Sequence, residues 1–171
     1  GLLMKFSTIR ALDVANGPGI RVTIFVSGCS HNCNGCFNEE LQDFQHGTLW
    51  TEKDEEEFIE KVAKPQVTGV SILGGEPLEQ LMDDSLFRLL SRIKKEMPEK
   101  SIWLWTGDIF EEAIKNPKKR RIIECLDVLI DGPFILAEKN LKLKYRGSEN
   151  QRVIDVVKSF ETGKTVFMKN A

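Results

Sequence analysis

Apolar positions along the chain come in short runs separated by helical repeats. Arg21 to Ser27 (RVTIFVS) is almost wholly β-branched or aromatic, which predicts a strand covered on both faces. Thr51-Glu52-Lys53-Asp54 reads as a capping box with Asp in place of Glu. It opens a helix whose Phe58, Ile59 and Val62 share one face. Gly69 to Leu73 is the next strand. Leu86, Leu89, Leu90, Ile93 and Met97 then recur at helical spacing until Pro98 stops them. Ser101 to Trp105 predicts a strand, and Val128 to Ile130 another. Between them, Ile109 to Ile114 and Lys118 to Leu126 predict short helices broken at Pro117. Val153 to Asp155 reads as a strand followed by a short helix ending at Gly163, with Thr165 to Met168 as a last edge strand. Trp103 and Trp105 alternate with Leu104, so one face of that strand belongs to the core and the other meets a helix.

Strands alternating with helices imply right-handed βαβ units, hence an α/β fold with a parallel sheet and outer helices. Each strand is followed by an unusual segment. Gly28-Cys29 follows the first, Gly74-Gly75-Glu76-Pro77 the second, Thr106-Gly107 the third and Asp131-Gly132-Pro133 the fourth. In such sheets the carboxyl edge carries the active site. Eight βα units do not fit in 171 residues, so the pattern predicts an open partial barrel or twisted sheet, with residues 1–171 as one domain.

Composition narrows this little. Hydrophobic residues at 41% and charged residues at 29% are ordinary for a globular chain and exclude a disordered one. A net charge of -2 gives no footprint for nucleic acid or an anionic membrane. No apolar run approaches the ~20 residues that span a bilayer. Gly1-Leu2-Leu3-Met4-Lys5 lacks the charged start and long apolar stretch of a signal peptide. A reducing cytoplasm is the expected compartment.

The cysteines change the picture. Three of the four fall in Cys29-Ser30-His31-Asn32-Cys33-Asn34-Gly35-Cys36, a C-x3-C-x2-C spacing too clustered for a disulfide framework. Three thiolates on one short loop can face one centre. A structural zinc site needs four closed ligands, so His31 or the distant Cys125 would have to complete it. A [4Fe-4S] cluster held by three thiolates leaves one iron open, and an open metal position is where chemistry happens. Buried free thiols are the third reading. Cys125, within Ile122-Ile123-Glu124-Cys125-Leu126, reads as a buried inert thiol, and His31 and His46 as loop and turn residues. Lys118-Lys119-Arg120-Arg121 reads as a solvated helix face or, failing that, a docking patch for an acidic partner.

C-x3-C-x2-C directly after the first strand, with Gly74-Gly75-Glu76 after the second, resembles the radical S-adenosylmethionine superfamily. Asn16-Gly17-Pro18-Gly19-Ile20-Arg21, ahead of the first strand, resembles the matching segment of glycyl-radical-enzyme activases. Gly35-Cys36-Phe37-Asn38 is similar to the activases of anaerobic ribonucleoside-triphosphate reductase. So are Trp105-Thr106-Gly107, Ile130-Asp131-Gly132-Pro133-Phe134 and Tyr145-Arg146-Gly147-Ser148-Glu149-Asn150-Gln151-Arg152. Asp108 departs from the aromatic residue expected after Thr-Gly. The matches run from about Asn16 to Arg152.

The resemblance implies a half-open (βα)6-type barrel in which Cys29, Cys33 and Cys36 hold a [4Fe-4S] cluster. S-adenosylmethionine would chelate the open iron and be cleaved to a 5′-deoxyadenosyl radical. The implied enzyme is an oxidoreductase that generates the glycyl radical on anaerobic ribonucleoside-triphosphate reductase, its protein partner. A flavodoxin- or ferredoxin-type protein would supply the electron. Gly35, Cys36, Phe37, Asn38, Gly74, Gly75, Glu76, Thr106 and Asp131 would contact S-adenosylmethionine, although Thr106 and Asp131 also suit helix caps, and Phe37 and Asn38 a capped turn. Arg146, Asn150 and Arg152 would form a wall of the site or a docking surface. An activase of pyruvate formate-lyase or another glycyl-radical enzyme is the alternative target, against which the Tyr145–Arg152 segment argues. A non-catalytic zinc-binding module is the alternative class.

Overall fold

The structure, a computed structural model, describes residues 4–28 and 47–169. Seven strands form one sheet: β1 (Lys5–Asp13), β2 (Arg21–Val26), β3 (Thr48–Leu49), β4 (Gly69–Gly74), β5 (Ser101–Trp105), β6 (Val128–Asp131) and β7 (Arg152–Asp155). Among the described residues five α-helices accompany them: α1 (Glu52–Val62), α2 (Ser85–Glu96), α3 (Phe110–Ala113), α4 (Pro117–Ile123) and α5 (Val156–Thr162). The strand order is β3-β1-β2-β4-β5-β6-β7, and the sheet is open among the described residues.

The expected parallel sheet is confined to its centre. β2, β4, β5 and β6 run parallel, whereas β1, β3 and β7 pair antiparallel. Connection length explains β1: residues 14–20 between it and β2 are too few for a parallel crossover, which takes about a dozen or more. Between β6 and β7 the described chain has only a 3-10 turn, Leu136–Glu138, and no α-helix. Nothing carries the chain back across the sheet, so β7 starts where β6 ends and reverses. The mixed α/β sheet thus replaces the all-parallel one.

One row of side chains crosses five strands in register: Ile24, Ile72, Leu104, Leu129 and Ile154, none of them exposed. All five helices pack on this face, through Phe58, Leu89, Ala113, Ile122 and Val156 among others. α1 begins with the expected capping box. Thr51 Oγ1 accepts from Asp54 N at 3.2 Å, Asp54 Oδ2 accepts from Thr51 N at 2.8 Å, and Phe58, Ile59 and Val62 are its buried residues. Pro117 starts α4 rather than breaking a helix. Asn116 Oδ1 caps it, accepting from Lys118 N and Lys119 N at 2.9 and 3.2 Å, and a proline costs nothing at the first helical position. The basic run on α4 is largely spent inside the chain. Lys119 pairs with Asp108 at 2.7 Å, Arg120 lies over Phe160, and Arg121 binds Asp84 and covers Phe87.

Among the described residues the opposite face carries no helix. Trp103, Val128, Ile130 and Val153 are buried there with Trp105, Tyr145 and Met168 against them. The expected helix on the tryptophan face is a loop instead. The Tyr145 ring meets Trp103 at 4.9 Å, and Trp105 Nε1 donates to Tyr145 O at 2.6 Å. Thr165 to Met168 makes a single bridge, Phe167 to Ile154, rather than a strand.

Arg21 crosses this helix-free face at the amino edge of the sheet and is fully buried. Its Nε donates to Ser71 Oγ at 2.8 Å, Nη1 to Pro18 O and Ser101 Oγ at 3.1 Å each, and Nη2 to Val70 O at 2.9 Å and Ser101 O at 2.8 Å. All five N–H groups are thereby used, as the guanidinium inventory allows. Gly69 makes room, since a Cβ there would lie 2.7 Å from Arg21 Nη2 and 2.2 Å from Ser101 O. Burial lowers the Arg21 pKa to about 10 and leaves it charged at neutral pH. The Asn16–Arg21 segment therefore braces β2, β4 and β5 from the edge opposite the one expected to carry chemistry.

Candidate active site

The four parallel strands do bring the unusual segments to one rim. Gly28, Gly74-Gly75-Glu76, Thr106-Gly107-Asp108 and Asp131-Gly132 all stand at carboxyl ends of β2, β4, β5 and β6. Hydrogen bonds link them in sequence. Gly75 N donates to Val26 O at 2.8 Å and Glu76 N to Gly28 O at 2.6 Å. Thr106 N donates to Ile130 O at 2.9 Å and Gly132 N to Asp108 O at 2.8 Å.

Gly74 has φ +118, and a Cβ would sit 2.1 Å from Val26 O, so the close approach of the two strand ends requires glycine. Glu76 is fully buried. Its carboxylate accepts from Leu78 N at 2.9 Å, Thr106 Oγ1 at 2.7 Å and Gly107 N at 2.6 Å. A carboxylate taken out of water must be met by such donors, and here they come from the next rim segment.

Thr106 Oγ1 also accepts from Asp108 N at 3.0 Å, as a turn cap does. Asp131 is fully buried. Its carboxylate accepts from Phe110 N at the start of α3 at 2.8 Å and from Arg152 Nε and Nη2 at 3.0 and 2.5 Å. Arg152 also grips Glu111 at 2.6 and 3.1 Å, and this bond holds the Glu111 carboxyl at about 2, below the usual carboxylate range. Arg146 Nη1 donates to Glu149 O and Gln151 O, and Asn150 Nδ2 to Pro133 O. Arg146 and Asn150 are thus tied within the 132–151 segment, and Arg152 is tied to Asp131 and Glu111 at its foot. Asp108, where an aromatic residue was expected, ties the rim to α4 through Lys119.

Cys29, Cys33, Cys36, Gly35, Phe37, Asn38, His31 and His46 lie outside the described residues. Cys125 is free and 8% exposed, with Ser91 Oγ 3.8 Å away, and burial pushes its thiol pKa up. It precedes β6, at the edge opposite Gly28 where the cysteine loop begins. Among the described residues no group of three or more His, Cys, Asp or Glu could hold a metal ion.

The described surroundings fit a group seated at the mouth of the cysteine loop. Gly28 O is met by Glu76 N and Gln80 Nε2, and two buried polar atoms of the residues there, Ser27 Oγ and Gln80 Oε1, have no partners among the described residues. Cys29 follows Gly28 in the sequence, and thiolate ligands suit iron or zinc by softness.

Residues 15–154 match the model of a 4Fe-4S single cluster domain. The chain is 40% identical over 150 residues to the anaerobic ribonucleoside-triphosphate reductase-activating protein of Haemophilus influenzae, covering 86% of this chain and 96% of the relative. The chain belongs to this family. The protein of the same name from Enterobacteria phage T4 is 39% identical over 152 residues, 88% of this chain and 93% of its own. That of Escherichia coli K12 is 36% identical over 152 residues, 88% and 97%. The matched span of the 4Fe-4S domain contains every rim segment of this family member, from Gly28 to Gly132.

Two residues escape a reading of the sequence. Gln80 sits beneath the rim at 1% exposure, and nothing in Pro77-Leu78-Glu79-Gln80 marks it. Arg21 belongs to a legible motif, but only the fold shows that it braces strands rather than meeting a ligand.

Proposed function

We propose that the chain is an iron-sulfur activase that generates the glycyl radical on anaerobic ribonucleoside-triphosphate reductase, with Cys29, Cys33 and Cys36 holding a [4Fe-4S] cluster and S-adenosylmethionine bound beside it. The observation that carries this reading is the rim. A strand end closed up through glycine and a buried glutamate meet at Gly28, the residue that precedes Cys29 in the sequence. When bound, the cluster and S-adenosylmethionine supply one-electron cleavage of the sulfonium to a 5′-deoxyadenosyl radical that removes hydrogen from glycine.

The chain's own residues supply position. Gly74 lets the ends of β2 and β4 close on each other, and Gly75, with no side chain, would offer its main-chain atoms to the methionine part. The Glu76 carboxylate is already met by three donors, which favours a main-chain carbonyl over it as the acceptor for the ammonium group. Glu76 then acts by holding Thr106 and Gly107 in place. Asp131, fixed by Arg152, holds the start of α3 and with it the third wall of the rim. Phe37, Asn38 and Gly35 would line the adenine side.

The open sheet is read as a half-open version of the radical S-adenosylmethionine barrel, and residues 1–171 as one domain, supported by a core running from Met4 to Val156. A sheet open among the described residues would leave room for a protein substrate, and Arg146, Asn150 and Arg152, which brace the 131–152 stretch, would form a wall of the site or a docking surface. No helix among the described residues is long and apolar enough to cross a membrane, in keeping with a cytoplasmic enzyme served by a flavodoxin- or ferredoxin-type donor.

Anaerobically reconstituted protein given dithionite and S-adenosylmethionine should form 5′-deoxyadenosine and raise a glycyl radical signal on the reductase, and Cys33→Ala should do neither. Equal behaviour of the two would sink the assignment. A colourless protein carrying zinc would favour the binding-module alternative.

A further inference from the structure

The Gln80 side chain lies at the junction of the two loops that must cooperate. Its Nε2 donates to Gly28 O at 3.3 Å and to Glu76 O at 3.1 Å, so both N–H groups of the amide are spent, one on each loop. Gly28 O accepts in addition from Glu76 N at 2.6 Å. Gly28 is the residue before Cys29, and Glu76 closes the Gly-Gly-Glu segment. Gln80 itself is the C-cap residue of the 3-10 turn, Pro77–Glu79, that follows that segment. Its amide reaches back to both strands' extensions, so the three points form one closed cross-tie.

Stability alone does not account for a glutamine there. The side chain is 1% exposed, and its Oε1 is buried with no hydrogen-bond partner among the described residues. An orphaned buried carbonyl costs free energy, and an apolar side chain of similar volume would avoid it. The amide nitrogen is what the position uses. A leucine or methionine would fill the space but leave the spacing between the cysteine loop and the Gly-Gly-Glu backbone to fewer bonds.

We infer that Gln80 is a positioning residue. It fixes the first cysteine's strand end against the Gly74–Glu76 segment, and so sets how S-adenosylmethionine meets the cluster. The inference rests on the proposed function, because it concerns the spacing of those two groups. Misplacement by about 1 Å is enough to weaken such a reaction about a hundredfold.

The test uses anaerobically reconstituted full-length protein and the variants Gln80→Met and Gln80→Leu. Both should keep the wild-type iron content and melt within about 3 °C of wild type. Both should raise the KM for S-adenosylmethionine in 5′-deoxyadenosine formation about tenfold. The change that S-adenosylmethionine causes in the electron paramagnetic resonance spectrum of the reduced cluster should become weaker or split into more than one species. Unchanged KM and unchanged spectral response would overturn the inference. So would loss of iron together with a large drop in melting temperature in both variants, since that outcome describes a core residue. Failure of the wild type to form 5′-deoxyadenosine would instead count against the proposed function, and the two failures are told apart by the wild-type control.

Discussion

Arg21→Lys keeps a positive charge at the amino edge of the sheet and removes the fork. The guanidinium makes five hydrogen bonds, to Ser71, Pro18, Val70 and twice to Ser101, and all lie between 2.8 and 3.1 Å. An ammonium group has three N–H donors on one atom, so at least two bonds disappear. A hydrogen bond to a charged group contributes about 1.5–3 kcal/mol net, which puts the loss at about 3 kcal/mol or more. That is a large part of the ~5–15 kcal/mol that holds a typical domain together. For a chain of this size it corresponds to a melting temperature lower by about 6–12 °C. Calorimetry or circular dichroism of the reconstituted protein measures it. S-adenosylmethionine affinity of the surviving folded fraction should match wild type, because the brace and the rim lie at opposite edges. A melting temperature within about 2 °C of wild type would refute the brace. A loss of affinity at full stability would place Arg21 in the site instead.

Glu76→Gln sets an amide nitrogen against the N–H groups of Leu78 or Gly107, and should cost about 2–3 kcal/mol without any ligand present. Unchanged melting with weaker S-adenosylmethionine binding would mean the carboxylate serves the ligand alone. Gly74→Ala places a methyl 2.1 Å from Val26 O at a φ of +118, so the variant should fail to bind S-adenosylmethionine and melt far below wild type. Wild-type melting would contradict the close approach. Glu111, lowered to about 2 by its bond to Arg152, stabilises the fold above its ordinary value near 4.5. That contribution is lost as pH falls through the interval down to about 2. The carboxylate is 44% exposed, so solvent screening limits its worth to about 1 kcal/mol. The stability gap between wild type and Glu111→Gln should therefore close between pH 5 and pH 2, and a gap independent of pH argues against the pair. Cys125→Ser should leave iron content unchanged, and a drop in iron would return Cys125 to the ligand set.

Much of the fold was legible because its signals are local. A capping box, a five-residue apolar repeat at helical spacing stopped by Pro98, and the β-branched run of β2 each act over a few residues, and α1, α2 and β2 follow them closely. β1 was not legible. Lys5–Asp13 mixes polar and apolar residues because it lies near the edge, half-covered, and its partner is chosen by the short link to β2. The direction of β7 likewise depends on a missing helix rather than on its own four residues. At the site, the rim segments could be read from their order after the strands. What the side chains do there could not. Glu76, Thr106, Asp131 and Arg152 are donors and acceptors to one another, a matter of which strands lie side by side. The three cysteines remain a reading of spacing and family, outside the described residues.

The brace at Arg21 also gives the helix-free face a floor. Asn16 O receives the Ser71 hydroxyl, Pro18 O receives the guanidinium, and the loop between them closes that face at its amino edge. Loosening that loop would release Ser71, Ser101 and the guanidinium together, so the amino ends of β2, β4 and β5 should open as one cooperative unit rather than strand by strand.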